Sequence, residues 1–181
     1  MKSRFTAFNI YLLAAIFLCS CKSPEERREA ATARKEKKEA STIRFHLEAR
    51  GDTTERSETV PILRASPVPV KIVKEPFLDE RDVLKASIVE TVGGFSILIQ
   101  LDKHGTFVLD AISTSNKGKR IAIMTEAGDR RWLGAPVIPQ RITDGVLTFT
   151  PDATREETIR IVRGLNNIST KIRKKRLIPE Y

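Results

Sequence analysis

Three kinds of hydrophobic spacing divide the chain: a continuous apolar run from Phe5 to Leu18, a charged stretch from Lys22 to about Ala40 whose only apolar residues are alanines, and short periodic segments from Thr42 onward. In the last part Ile43, Phe45, Leu47 and Ala49 alternate with Arg44, His46 and Glu48, the period of two of a half-buried strand, with His46 on its polar face. Arg50 to Thr59 is polar and reads as a loop. Val68, Val70 and Ile72 form a second strand, and Pro67 and Pro69 make its start an edge or a bulge. A short helical turn fits Asp79 to Leu84, followed by strand residues Ala86 to Val92. Gly93-Gly94 supplies the positive backbone angles of a tight hairpin. The return strand carries Phe95, Ile97, Ile99 and Leu101 on one face, which places it centrally in a sheet.

The period then changes. From Lys103 to Asn116 the spacing of Val108, Leu109, Ala111 and Ile112 predicts a helix with one buried side, ended by Gly118. Ile121 to Met124 and Trp132 to Ile138 read as strands around a polar loop, Glu126 to Arg131. Val146 to Thr150 is a further strand after the turn Thr143-Asp144-Gly145. Thr154 and Glu157 have the spacing of a capping box, opening a helix whose buried stripe is Ile159, Val162 and Leu165. These elements predict an α+β fold: a single, mainly antiparallel sheet with two principal helices packed on one face.

The amino-terminal pattern bears on compartment. Met1-Lys2-Ser3-Arg4, the apolar run and Leu18-Cys19-Ser20-Cys21 resemble a bacterial lipoprotein signal peptide with its lipobox. The resemblance implies removal of residues 1–20 and lipidation of Cys21 with diacylglyceryl and acyl groups. Cys19 fits less well, because Leu18 before it is too large for the cleavage pattern. The alternative, an uncleaved anchor, is disfavoured by length, since a spanning helix needs roughly 20 residues. Both cysteines lie at this site, so lipidation leaves none for disulfides or thiol catalysis. Residues 21–42 then form a charged tether, 43–168 a single domain and 169–181 a basic C-terminal tail. No later segment has the length and apolarity of a membrane span, so lipid is expected to hold the protein, which excludes a channel or pump.

The net charge of +9 would point to nucleic acid in a cytosolic protein. Export to the extracytoplasmic face of the cell envelope removes that partner. Lys171, Arg173, Lys174, Lys175 and Arg176 instead form a possible contact with anionic lipid or polymer.

The residues that carry chemistry are sparse. His46 and His104 lack neighbouring metal ligands, and no metal site is expected. His104, Asp110 and Ser113 make a triad only on paper and read as surface residues of one helix. Asp79, Glu80 and Asp82 sit beside Arg81 and read as a solvated face. Asn116 to Arg120 lacks the spacing of a phosphate-binding loop. Trp132 follows Arg130 and Arg131 at a loop edge, where it either anchors a partner or is partly buried in the core.

Several words of the sequence occur in a familiar order: Pro69 to Pro76, Asp82 to Ala86, Asn116 to Ile123, Gly134 to Ile138, Ile142 to Gly145, and Thr154 to Glu157. With them the stretch Ile43 to Asn167 resembles the head subdomain in the first periplasmic region of SecD, of the SecDF protein-export complex, most closely over Gly105 to Leu165. Two departures concern loops: Thr125 to Arg131 is longer than a tight hairpin, and Val146 to Pro151 lacks a glycine that the family often carries. A second head-and-base region and charged membrane helices, on which the family's transport role depends, have no counterpart. The resemblance implies a role in export; joined to the lipobox, it gives the expectation of a non-enzymatic, lipid-anchored module without a cofactor, which binds unfolded polypeptide or a Sec translocon partner. Addition of an extended segment to a strand edge would suit that task. The alternative is a structural envelope adaptor on anionic lipid or polymer.

Overall fold

The computed structural model describes residues 23–49, 51 and 55–177. Helix α1, Pro24–Lys38, buries no residue, as its lack of an apolar stripe requires. Ser23 and Glu26 cap its start reciprocally, at 3.1 Å in each direction. Residues up to Glu36 and residues from Lys37 onward form separate units.

The second unit is α+β with every strand pairing antiparallel. Its strands are β1 (Thr42–Leu47), β2 (Ser57–Ile62), β3 (Val68–Val73), β4 (Leu78–Asp79), β5 (Val83–Thr91), β6 (Gly94–Leu101), β7 (Ile121–Ala127), β8 (Asp129–Gly134) and β9 (Val146–Phe149). Helix α2 spans Lys103–Ser115 and α3 spans Arg155–Leu177. Where one sheet was expected there are three: β4-β1-β7-β8, the hairpin β2-β3, and β5-β6-β9.

The β5–β6 hairpin forms as its alternation predicts, but of the two glycines only Gly93 holds a positive φ, +84°, while Gly94 pairs with Thr91 as the first residue of β6, the central strand of its sheet. Ile97, Ile99 and Leu101 join Ile43, Phe45, Ile121, Ile123, Leu133, Leu109, Ile161 and Leu165 in the main core. Each such side chain contributes about 1.5–3 kcal/mol on burial. A smaller cluster of Val60, Ile62, Val70, Ile72 and Ala122 lies beneath the β2–β3 hairpin.

Several expectations are corrected. Ser57 to Thr59 belong to β2 rather than to a loop. Pro61 stands opposite Pro69 in that hairpin, and because neither ring has an N–H to give, the pair sits where main-chain nitrogens face away from the partner strand. Glu126 to Arg131 is a tight hairpin: Glu126 pairs with Arg130 and Ala127 with Asp129 around Gly128 at φ +102°. Beyond Gly134 the expected strand does not continue, and Val137 makes only an isolated bridge to Arg120. Ala111 and Ile159 are exposed, and the buried face of α3 is Thr158, Ile161, Leu165 and Ser169. The expected domain boundary at 168 falls inside α3.

Helix α3 crosses the outer edge of β5. Asn166 accepts the Ala86 N–H through Oδ1 and donates to the Ala86 carbonyl through Nδ2, both at 2.9 Å. Ser169 Oγ lies 2.7 Å from the Val83 carbonyl and 3.0 Å from that of Leu84. Close approach at Gly164 seats the helix on β1's leading residue, since a Cβ there would lie 2.8 Å from the Ser41 main-chain nitrogen. Along Val83 to Ala86 this edge of the sheet is therefore occupied by side chains of α3.

Candidate functional site

The opposite edge is β9. Hydrogen bonds of Asn166 to Ala86 turn the Ala86 main chain away from β6, so its register partner Ile99 directs its own groups toward β9. Alternation along the register then bonds Leu147 and Phe149 to β6, and the Leu101 N–H to Gly145 carbonyl bond of 2.9 Å continues the same parity. The main-chain groups of Val146, Thr148 and Thr150 consequently face outward. Val146 N–H is bonded by the Asp144 carboxylate at 3.1 Å. Among the described residues no strand pairs with the outer side of β9, and Thr148 and Thr150 are exposed.

An apolar groove runs beside these outward groups. One cavity of about 520 Å³ is walled by Ile62, Leu63, Val68 and Val70 of the β2–β3 hairpin, by Arg120, by Gly134 to Pro136 and by Thr148 to Thr150. A second, about 340 Å³, is lined by Pro136 to Pro139, Ile121, Ile142, Asp144 and Val146 to Thr148. Pro136 and Thr148 line both, so the two hollows flank one point of β9. Leu63, Val68 and Val137, at 43, 40 and 53 % exposure, leave apolar surface uncovered here. Gly134 fits because a Cβ would stand 3.2 Å from the Thr150 carbonyl.

Ion pairs fix the hairpin connection that ends the groove. Arg64 N–H donates to the Asp152 carboxylate at 2.7 Å, and its guanidinium lies 3.2 Å from Glu157. Arg131 approaches the same carboxylate at 3.2 Å. Glu157 also closes the expected capping box, accepting the Thr154 N–H at 2.9 Å while Thr154 Oγ1 accepts that of Glu157 at 3.2 Å. The Thr154 N–H, with Arg131 and Arg64 beside it, pulls the Glu157 pKa down to about 2. Leu63, next to Arg64, holds a positive φ of 71°, a conformation disfavoured for a branched side chain.

The sequence-predicted residues fall elsewhere. Cys21 lies outside the described residues. Lys171, Arg173, Lys174, Lys175 and Arg176 are exposed on the last turns of α3, where a tail was expected, and none lines the groove. Arg176 reaches Asp102 at 3.3 Å. The paper triad is not assembled: His104 Nδ1 is 2.8 Å from Asp82, and Asp110 holds Arg141 at 2.8 Å. Ser113, expected at the surface, is buried and accepts the Ile142 N–H at 2.8 Å. Asp82, Asp102 and His104 place three ligand atoms within 4.8 Å of one another. Asp79 and Asp82 form the capping box of a 3-10 turn, Glu80–Asp82, and Arg81 lies across the Asp79 carboxylate at 2.6 Å. Trp132 is half-buried against the smaller core cluster. His46, expected on a polar face, is buried: Nδ1 lies 3.0 Å from the Val73 carbonyl, and Trp132 meets the ring edge-on with centroids 5.4 Å apart.

No family model matches the chain, and no curated protein sequence matches it either. Among solved structures it is similar to one described as a membrane component SecDF that enhances protein export, with TM-score 0.53 and 20 % identity over 82 % of this chain and 70 % of that chain. The fold is SecD-like. SecDF in its super-membrane-facing form aligns with TM-score 0.54 and 20 % identity over 81 % of this chain, which spans 21 % of that longer chain. The SecD-like fold agrees with the words read in the sequence from Pro69 to Glu157, most of which lie on turns, caps and strand ends. Among the described residues no helix is long and apolar enough to cross a membrane.

Proposed function

We propose that this SecD-like domain binds extended polypeptide by adding a strand to β9, and that it assists protein export at the outer face of a bacterial membrane to which lipid on Cys21 holds it. The open edge of β9 carries the reading. Outward groups at Thr148 offer bonds that any main chain satisfies, the Thr150 carbonyl being packed against Gly134, and the flanking hollows accept apolar side chains of whatever sequence arrives. The likeness to SecDF structures, one described as enhancing protein export, supports the export setting. The charged α1 and the residues before it serve as tether.

Thr148→Pro tests the mechanism. Its N–H points away from β6, so proline removes no bond of the sheet and a melting temperature close to that of the parent is expected. Binding of a reduced, carboxymethylated polypeptide to the full chain should fall at least tenfold, measured by fluorescence anisotropy. Equal binding by the variant sinks strand addition. Cys21→Ala tests the anchor: the folded protein should leave the membrane fraction, and unchanged retention counts against lipid at this residue.

A second reading, an envelope adaptor, is favoured by the exposed cationic end of α3. Anionic-vesicle binding that vanishes with salt and with loss of Lys171, Arg173, Lys174, Lys175 and Arg176, together with no polypeptide binding, would replace the first reading with this one.

A further inference from the structure

The hairpin that walls the groove is a sheet of its own. It is joined to β1 through the Glu48–Ile72 bridge, a 2.9 Å bond from Ala49 N–H to the Lys71 carbonyl, and His46, to β7 through the cluster of Val60, Ile62, Val70 and Ile72 with Ala122, and to Asp152 and Glu157 through Arg64. A carbonyl only accepts, so the 3.0 Å contact with Val73 puts the imidazole proton on Nδ1. Nε2 is then a bare acceptor, buried and without a partner among the described residues. A second proton has to enter there. No acceptor among the described residues lies within hydrogen-bond distance of Nε2, and Trp132 packs against the ring.

Charged groups surround the imidazole from each packed element: Arg44 on β1, Glu58 on β2, Lys74 after β3, and Arg130 and Arg131 on β8, all bordering a hollow of about 280 Å³ that His46 also lines. Burial, aided by Arg44 and Arg130, outweighs the Val73 bond and Glu58 and holds the imidazole pKa below its ordinary value of 6.5. When the hairpin lifts away the ring meets water and regains ordinary basicity.

We propose that His46 is an acid-sensitive latch, whose protonation undocks the β2–β3 hairpin and opens the groove beside β9. This regulation rests on the strand-addition reading only in taking that groove as the binding site. The sign follows from linkage: docking is complete above about pH 6.5 and weakens as pH falls from there through the lowered value of the docked state. Each pKa unit between the two states multiplies the undocked-to-docked ratio up to about tenfold.

Amide exchange of the full chain in detergent at pH 7.5 and pH 5, corrected for intrinsic rates, tests the latch. Amides of β2 and β3 should lose protection severalfold at pH 5 while those of β6 keep theirs. His46→Gln should abolish this difference, and imidazole resonances of the parent should show His46 titrating below 6.5. Unchanged hairpin protection, titration at or above 6.5, or the same acid loosening in His46→Gln overturns the proposal. If the variant does not fold, the parent's titration and exchange decide. Polypeptide binding over the same pH range separates the two ideas: loosening without binding at any pH defeats strand addition and leaves the latch, whereas binding beside a hairpin that never loosens defeats the latch alone.

Discussion

On one side of the three-stranded sheet, Asn166 and Ser169 of α3 occupy the main chain of β5; on the other, β9 presents Thr148 and Thr150 to an apolar groove. An unpaired edge is a template for foreign strands, and proteins cover, charge or distort such edges. Here the same sheet has one edge closed, along Val83 to Ala86, by side chains that imitate a neighbouring strand and one bordered by two hollows. The difference teaches that an edge can be closed without another strand, so the openness of β9 is a distinct property of its surroundings.

The comparison breaks most severely if the sealing helix is displaced. Gly164→Val drives a branched side chain against Ser41, where even a Cβ meets main-chain nitrogen at 2.8 Å, and should cost about 3 kcal/mol in urea unfolding. Asn166→Ala leaves α3 in place but strips the Ala86 N–H and carbonyl of their partners. A loss of about 2 kcal/mol is expected, with concentration-dependent association detectable by light scattering as β5 gains an unpaired edge. The smallest effect belongs to Glu157, which binds the start of the sealing helix to Arg64 beside the groove. Its lowered pKa makes its stabilising bonds complete above about pH 4.5 and progressively lost as pH falls toward 2. Glu157→Gln should flatten that stretch of the acid-unfolding curve and cost about 1 kcal/mol at neutral pH, since the amide oxygen can still accept the Thr154 N–H while the half-buried charge pairing with Arg131 and Arg64 is lost.

Features fixed by neighbours in sequence were legible. The β5–β6 hairpin followed from alternation around Gly93-Gly94, and the helix start from Thr154 and Glu157, because turn and cap geometry are local. Strand β2 was hidden because Ser57 to Thr59 are polar and continue the polar stretch from Arg50, while their pairing with Lys71 to Val73 is not visible locally. The β7–β8 turn was hidden because the residues around Gly128, from Thr125 to Arg131, are polar except for Ala127 and show no apolar alternation. His46 looked solvent-facing because alternation assigns a residue to one side of β1 and does not reveal that the β2–β3 hairpin covers that side. The division into three sheets, and with it the openness of β9, depends on strand order across long separations in sequence. The groove borrows residues from Ile62, Gly134 and Thr148, which no local pattern could have brought together.

Asn166 has a consequence for assembly. If β9 takes up a strand, no second strand can pair with the Val83–Ala86 stretch of β5, where α3 already holds the main chain. Were two copies to meet along β9, the pair would be closed by symmetry and could not extend into a fibre through that stretch. Asn166 thus blocks polymerisation through the stretch of β5 that it caps.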